Sequence, residues 1–136
     1  MLTHKSPLSI NSISSSARAF LERLLFAADT YVLDEDGNRV SKIKREIKTA
    51  MIYTMNVTKE MDYFNGEDQL AIMRGYLTAI FGECESLYAY DTKQFKKYDP
   101  YLNNMFDPEL KEKSKEIQFP KDCAKAYELG QNLSKR

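Results

Sequence analysis

Few residues in this 136-residue chain have the types and spacing that chemistry demands. The single histidine, His4, leaves little scope for an imidazole metal site or a nucleophile–histidine–acid triad. Cys84 and Cys123 stand far apart with no CxxC pair. They read as reduced, packed thiols of a cytoplasmic protein, and two distant thiols cannot supply the usual ligands of an iron–sulfur cluster. The acidic stretch Asp34-Glu35-Asp36-Gly37-Asn38 lacks the alternating ligands and the distal glutamate of a calcium loop, so it reads as a turn. The basic run Lys42–Lys48 reads as a solvated approach to the next strand, because Lys plus Arg and Asp plus Glu both number 20 and the formal net charge is zero. That balance gives no reason to expect nucleic acid or an anionic membrane as a partner. Tyr53, Tyr76, Tyr88 and Tyr127 fall at core or helix-face positions rather than on a base-stacking platform.

The elements that would position a site are easier to read. Hydrophobic residues make up 43% of the chain, enough for one folded domain over residues 1–136. No apolar run approaches the ~20 residues of a membrane-spanning helix, and Met1 to Ser16 lacks the apolar region of a secretory signal. Ser14, Ser15 and Ser16 offer caps for a helix from about Ala17 to Ala28 or Asp29, with Ala17, Phe20, Leu21, Leu24 and Leu25 as its apolar stripe. Tyr31–Leu33 and Arg39-Val40 flank an Asp-Gly step and predict a hairpin or excursion loop. Thr49–Val57 is largely apolar without alternation, as in a strand buried on both faces of a parallel sheet. Asn65-Gly66 opens a helix with Leu70, Met73, Leu77, Ile80 and Phe81 inward, and Gly82 stops it. Ser86–Tyr90 predicts a second strand, followed by a polar, aromatic loop. Asp107-Pro108-Glu109 starts a helix that Phe119-Pro120 should break, with a last helix beyond.

Strands alternating with helices mean an α/β fold. Only two core strands are evident, and Met1 to Ser12 is expected to be too short and polar to add another. Two strands rarely make a stable doubly wound sheet. The expectation is therefore a partial, N-terminally truncated domain. Its strand Thr49–Val57 would present an unpaired edge, to be covered by an N-terminal complementing chain or in a homodimer.

Several segments together resemble flavodoxin-like NAD(P)H-dependent FMN reductases. Ser6-Pro7-Leu8 and then Ala17-Arg18-Ala19-Phe20-Leu21-Glu22-Arg23-Leu24-Leu25-Phe26 resemble that family's turn after a core strand and the helix it enters. Ile52–Val57 is similar to the next core strand and its loop. Phe81-Gly82, Leu87-Tyr88, Tyr90-Asp91-Thr92 and Gln94-Phe95 resemble the following helix–strand unit. Met105–Glu109 and Phe119–Cys123 look like the tail of one subgroup. The resemblance runs from about Ser6 onward and rests on order and spacing, not on any one motif.

The resemblance implies a partial flavodoxin-like doubly wound parallel sheet and an oxidoreductase working through bound FMN, with NAD(P)H as reductant. It implies ring contacts from Ser6, Pro7, Leu8, Thr54, Met55 and Asn56, the last three through backbone N–H and side-chain groups. The family's phosphate-holding loop has no counterpart here. Ser9 and Ile10 replace the family's Tyr and Phe, and Asn11, Ser15 and Ser16 stand where Gly and a Gly-Glu pair are common. The alternative reading is a non-catalytic remnant or interaction module that completes its sheet with a partner.

Overall fold

A computed structural model describes residues 2–9, 12–62, 65–98 and 104–135, and for 2–9 the backbone alone. In chain order the elements are β1 (Leu2–Ser9), β2 (Ser12–Ile13), α1 (Ser15–Ala28), β3 (Thr49–Thr54), α2 (Gly66–Phe81), β4 (Cys84–Ala89) and α3 (Pro108–Ser134). The sheet order is β2-β1-β3-β4. The two expected core strands, β3 and β4, pair in parallel from Thr49↔Cys84 to Thr54↔Ala89. The α/β class follows directly.

The sequence expectation fails at the N-terminus. Leu2–Ser9 is a strand, parallel to β3 from Leu2↔Thr49 to Pro7↔Thr54. Main-chain pairing to a buried neighbour, rather than an apolar pattern, defines it. β3 is consequently not an edge, because it is bonded on both sides. Among the described residues, the outer side of β1 is paired only at Leu8 and Ser9, to the two-residue β2. Pro7 is tolerated there because a strand at the margin of a sheet can spare one N–H.

Helices cover both faces of the sheet. Met51 and Tyr53 point to the side of α1 and α2, where they join Ala17, Leu21, Leu25, Leu70, Leu77, Ile80 and Phe81 in the main core. Ala50, with half-buried Ile52 and Leu87, meets Leu129 and Leu133 of α3 on the other side. Alternate residues of β3 thus serve opposite layers, which is why its sequence shows no polar alternation.

Local chemistry explains the element ends. Ser14 caps α1 through its hydroxyl, which accepts from the Ala17 N–H at 3.4 Å. The Asp62 carboxylate accepts from the Gly66 N–H, closing the start of α2. Gly82 ends α2 with φ of 108°, a conformation L side chains resist. Between α1 and β3 the excursion forms the expected turn, with Asp34 Oδ1 accepting from the N–H groups of Asp36 and Asn38 and Leu33 bridging Arg39.

A second correction concerns the C-terminal helix. α3 is continuous through Pro120, where a break was expected. An interior proline costs about 3 kcal/mol through a lost hydrogen bond and a carbonyl clash. α3 offsets this because it is fastened on both sides of the proline: by polar contacts of Lys111 and Ser114 upstream, and by buried Leu129 and Leu133 downstream.

Candidate functional site at the strand ends

Parallel strands bring their C-terminal ends to one margin of the sheet, where α/β proteins place ligands. Pro7, Thr54 and Ala89 lie side by side on β1, β3 and β4. The margin therefore gathers Ser6–Leu8, Thr54–Asn56 and the loop that follows β4. For Ser6, Pro7 and Leu8 the backbone places them beside Tyr53, Thr54 and Ile13 respectively.

The three residues at the end of β3 differ in what they offer. Thr54 is half-buried. Met55 is 3% exposed, its N–H donates to the Ala89 carbonyl at 2.9 Å, and its carbonyl accepts from the N–H and the hydroxyl of Thr92. Met55 is thus spent on packing and on tying two loops together. Asn56 is half-buried, and its Oδ1 accepts from the Tyr98 hydroxyl at 3.3 Å.

The structure adds a residue that sequence reasoning missed. Lys111, in the first turns of α3, is 2% exposed. Its ammonium donates to the Asn56 carbonyl and to Asp91 Oδ1, and lies 4.7 Å from the centre of the Phe106 ring. A buried ammonium requires such partners, since removal from water is costly for an unpaired ion. Asp91 itself has φ of 55°, and its carbonyl accepts from the Ser114 hydroxyl at 3.0 Å. One cation therefore locks the loops after β3 and β4 to α3. The Asp107-Pro108 helix start, with Asp107 accepting from the Glu109 N–H, was the sequence signal that a helix begins there. Nothing distinguished Lys111 from the chain's other lysines.

On the opposite side of the loop, the Tyr90 hydroxyl donates to Glu67 of α2 at 2.8 Å. Burial, followed by that carboxylate, raises the Tyr90 phenol well above its ordinary range. It is a fixed hydrogen-bond donor, not an acid that titrates near neutrality. Cys84 is also pushed up, by burial first, so neither its position nor its acidity suits a nucleophile.

The donor set at this margin suits the polar edge of a planar ring in part. Thr54 and the side chain of Asn56 are half-buried and offer hydroxyl and amide groups, whereas Met55 can only pack. Among the described residues, no group of His, Cys, Asp and Glu is placed to hold a metal ion, and no helix is long and apolar enough to cross a membrane. The sequence matches no protein-family model, and comparisons with curated proteins and with solved structures return no match.

Proposed function

We propose that the chain is the ring-holding part of a flavodoxin-like, FMN-dependent NAD(P)H oxidoreductase. One observation carries this reading: β1, β3 and β4 run parallel in sequence order, so the residues singled out by resemblance, Ser6–Leu8 and Thr54–Asn56, end at the same margin. Thr54 and Asn56 would hold the polar edge of the ring, and Met55 would form dry packing beneath it. Lys111 would fix the Asn56 carbonyl, and Asn56 with it. When bound, the flavin supplies the chemistry, taking a hydride from NAD(P)H and passing electrons to an acceptor.

Titrating the purified chain with FMN and following quenching of flavin fluorescence tests this. Saturable binding in the micromolar range, weakened by Asn56→Ala, supports it. A flat response at high protein concentration sinks autonomous flavin binding.

A second reading is an interaction module that completes its sheet with a partner chain or in a homodimer. It is favoured by the outer side of β1, which among the described residues is paired only at Leu8 and Ser9. An open strand margin of this kind recruits another strand. Sedimentation analysis separates the two readings: a monomer at all concentrations removes the homodimer.

A further inference from the structure

A cleft adjoining the Asn56–Lys111 cluster, with Asp91 and Ser114 in common, opens between the loop after β4 and the middle of α3. Its loop wall runs from Tyr90 to Lys96, and its helix wall carries Ser114, Lys115, Phe119 and Asp122. Its volume is about 420 Å³, within the range of small-molecule sites.

Three features define what would fit. Asp122 on the helix wall is 6% exposed, accepts from Gln118 Nε2 at 2.9 Å, and has Lys125 Nζ at 4.0 Å. A carboxylate has about four acceptor sites and is costly to bury without donors. Both of those contacts fall on Oδ1, so a ligand with two adjacent N–H groups would pair with Oδ2 and with the remaining lone pair of Oδ1. Phe95 on the loop wall and Phe119 on the helix wall give aromatic surface against which a planar ring can stack. Lys96 and Lys115 bring positive charge to the same cleft, while Lys93 is held by Glu112. Lys115 is 58% exposed on its side chain and 3.4 Å from Glu112, close enough to water to exchange that partner for an anion.

We propose that this cleft binds a guanine nucleotide, with the base against Phe95 and Phe119, its ring N–H and amino group on Asp122, and its phosphate at Lys96 and Lys115. Guanine is the base whose ring N–H and exocyclic amino group are neighbours, so both meet a carboxylate together. Adenine and cytosine set a ring acceptor beside their amino group, which would face carboxylate lone pairs. Uracil and the flavin ring flank their N–H with carbonyl oxygens, which repel the same carboxylate. The proposal does not rest on the flavin reading.

Calorimetric titration of the whole chain with GMP tests it, with guanosine, AMP, UMP and inorganic phosphate in parallel. GMP should saturate, and AMP and UMP should bind about tenfold more weakly or worse. Asp122→Asn should weaken GMP and guanosine by about tenfold while circular dichroism stays unchanged. The double variant Lys96→Ala/Lys115→Ala, at exposed positions, should weaken GMP severalfold and leave guanosine alone. The proposal is overturned if GMP does not saturate at millimolar concentration, if Asp122→Asn binds GMP as the native chain does, or if AMP or UMP binds as tightly as GMP.

Discussion

The two faces of the sheet are held by different physics. On the side of α1 and α2, eleven of the described residues form one buried apolar cluster, with Leu21 and Met51 each 1% exposed at its centre. On the side of α3 the buried cluster is Ala50, Leu129 and Leu133, with Ile52 and Leu87 half-covered. α3 also turns Leu110, Ile117 and Tyr127 outward. What the α3 face lacks in apolar burial it recovers in directed contacts at the strand ends, through Lys111, Asp91, Asn56 and Ser114. One face supplies stability without direction; the other fixes loops in defined positions, which is what a binding site requires.

The largest effect should come from deleting apolar volume on the well-packed face. Leu21→Ala is expected to cost about 3–4 kcal/mol, because a fully surrounded leucine leaves a cavity that cannot collapse. Leu133→Ala, on the thinner face, should cost about 2 kcal/mol, since its surroundings can relax or admit water. Urea denaturation of both variants measures the difference. Equal losses would mean that the α3 face is as tightly packed as the other.

Removing the polar fastening ranks next. Lys111→Met leaves Asp91 and the Asn56 carbonyl without their buried cation, and loss of one partner from a fully buried pair costs about 3–5 kcal/mol. Asp91 keeps 28% of its side-chain surface and can be rehydrated, so about 2 kcal/mol is expected here. The double variant Lys111→Met/Asp91→Asn should recover part of that loss. A double-mutant cycle with zero coupling would show that the lysine acts through packing alone.

This division of labour also explains what could be read from the sequence. The face built from burial was legible, because Leu21, Leu25, Leu70, Leu77 and Ile80 recur at helical spacing and Thr49–Thr54 carries no charge and no polar alternation. β1 was not, because Thr3, His4, Lys5, Ser6 and Pro7 carry no strand pattern and only a neighbouring main chain defines them. The strand-end margin was partly legible: Thr54–Asn56 could be named as the end of a buried strand. The loop after β4 was marked only as polar and aromatic. Lys111 and Asp122 were invisible, since burial of a charged residue depends on long-range contacts that no local pattern records.

Pro120 offers a smaller test of the same contrast. If α3 continues because its two halves are anchored separately, then restoring the missing N–H should help only modestly. Pro120→Ala is expected to stabilise the chain by about 1 kcal/mol, less than the interior penalty of about 3, because relaxation around the proline has already absorbed part of it. A large gain would mean that the helix is strained throughout. A loss would mean that Pro120 itself shapes α3 so that Lys111 and Leu133 are seated together.

The smallest effect is silent at neutral pH. Tyr53 lies in the α1/α2 core, 1% exposed, stacked on Tyr88 with ring centres 5.5 Å apart, its hydroxyl donating to Met51 Sδ at 2.9 Å. Burial first, and Tyr88 second, raise its phenol well above the ordinary value. The unfolded chain releases this proton near pH 10, whereas the folded chain retains it. The folded state therefore binds more protons above about pH 10, and stability must fall as pH rises through that region. Below it the contribution is complete and constant. Tyr90, raised by burial and by Glu67, adds to the same decline. Urea midpoints measured from about pH 8 to about pH 11 should fall at the alkaline end, and Tyr53→Phe should flatten the fall without abolishing it. Identical slopes for native chain and variant would mean that Tyr53 ionises in place, and that this buried face admits water.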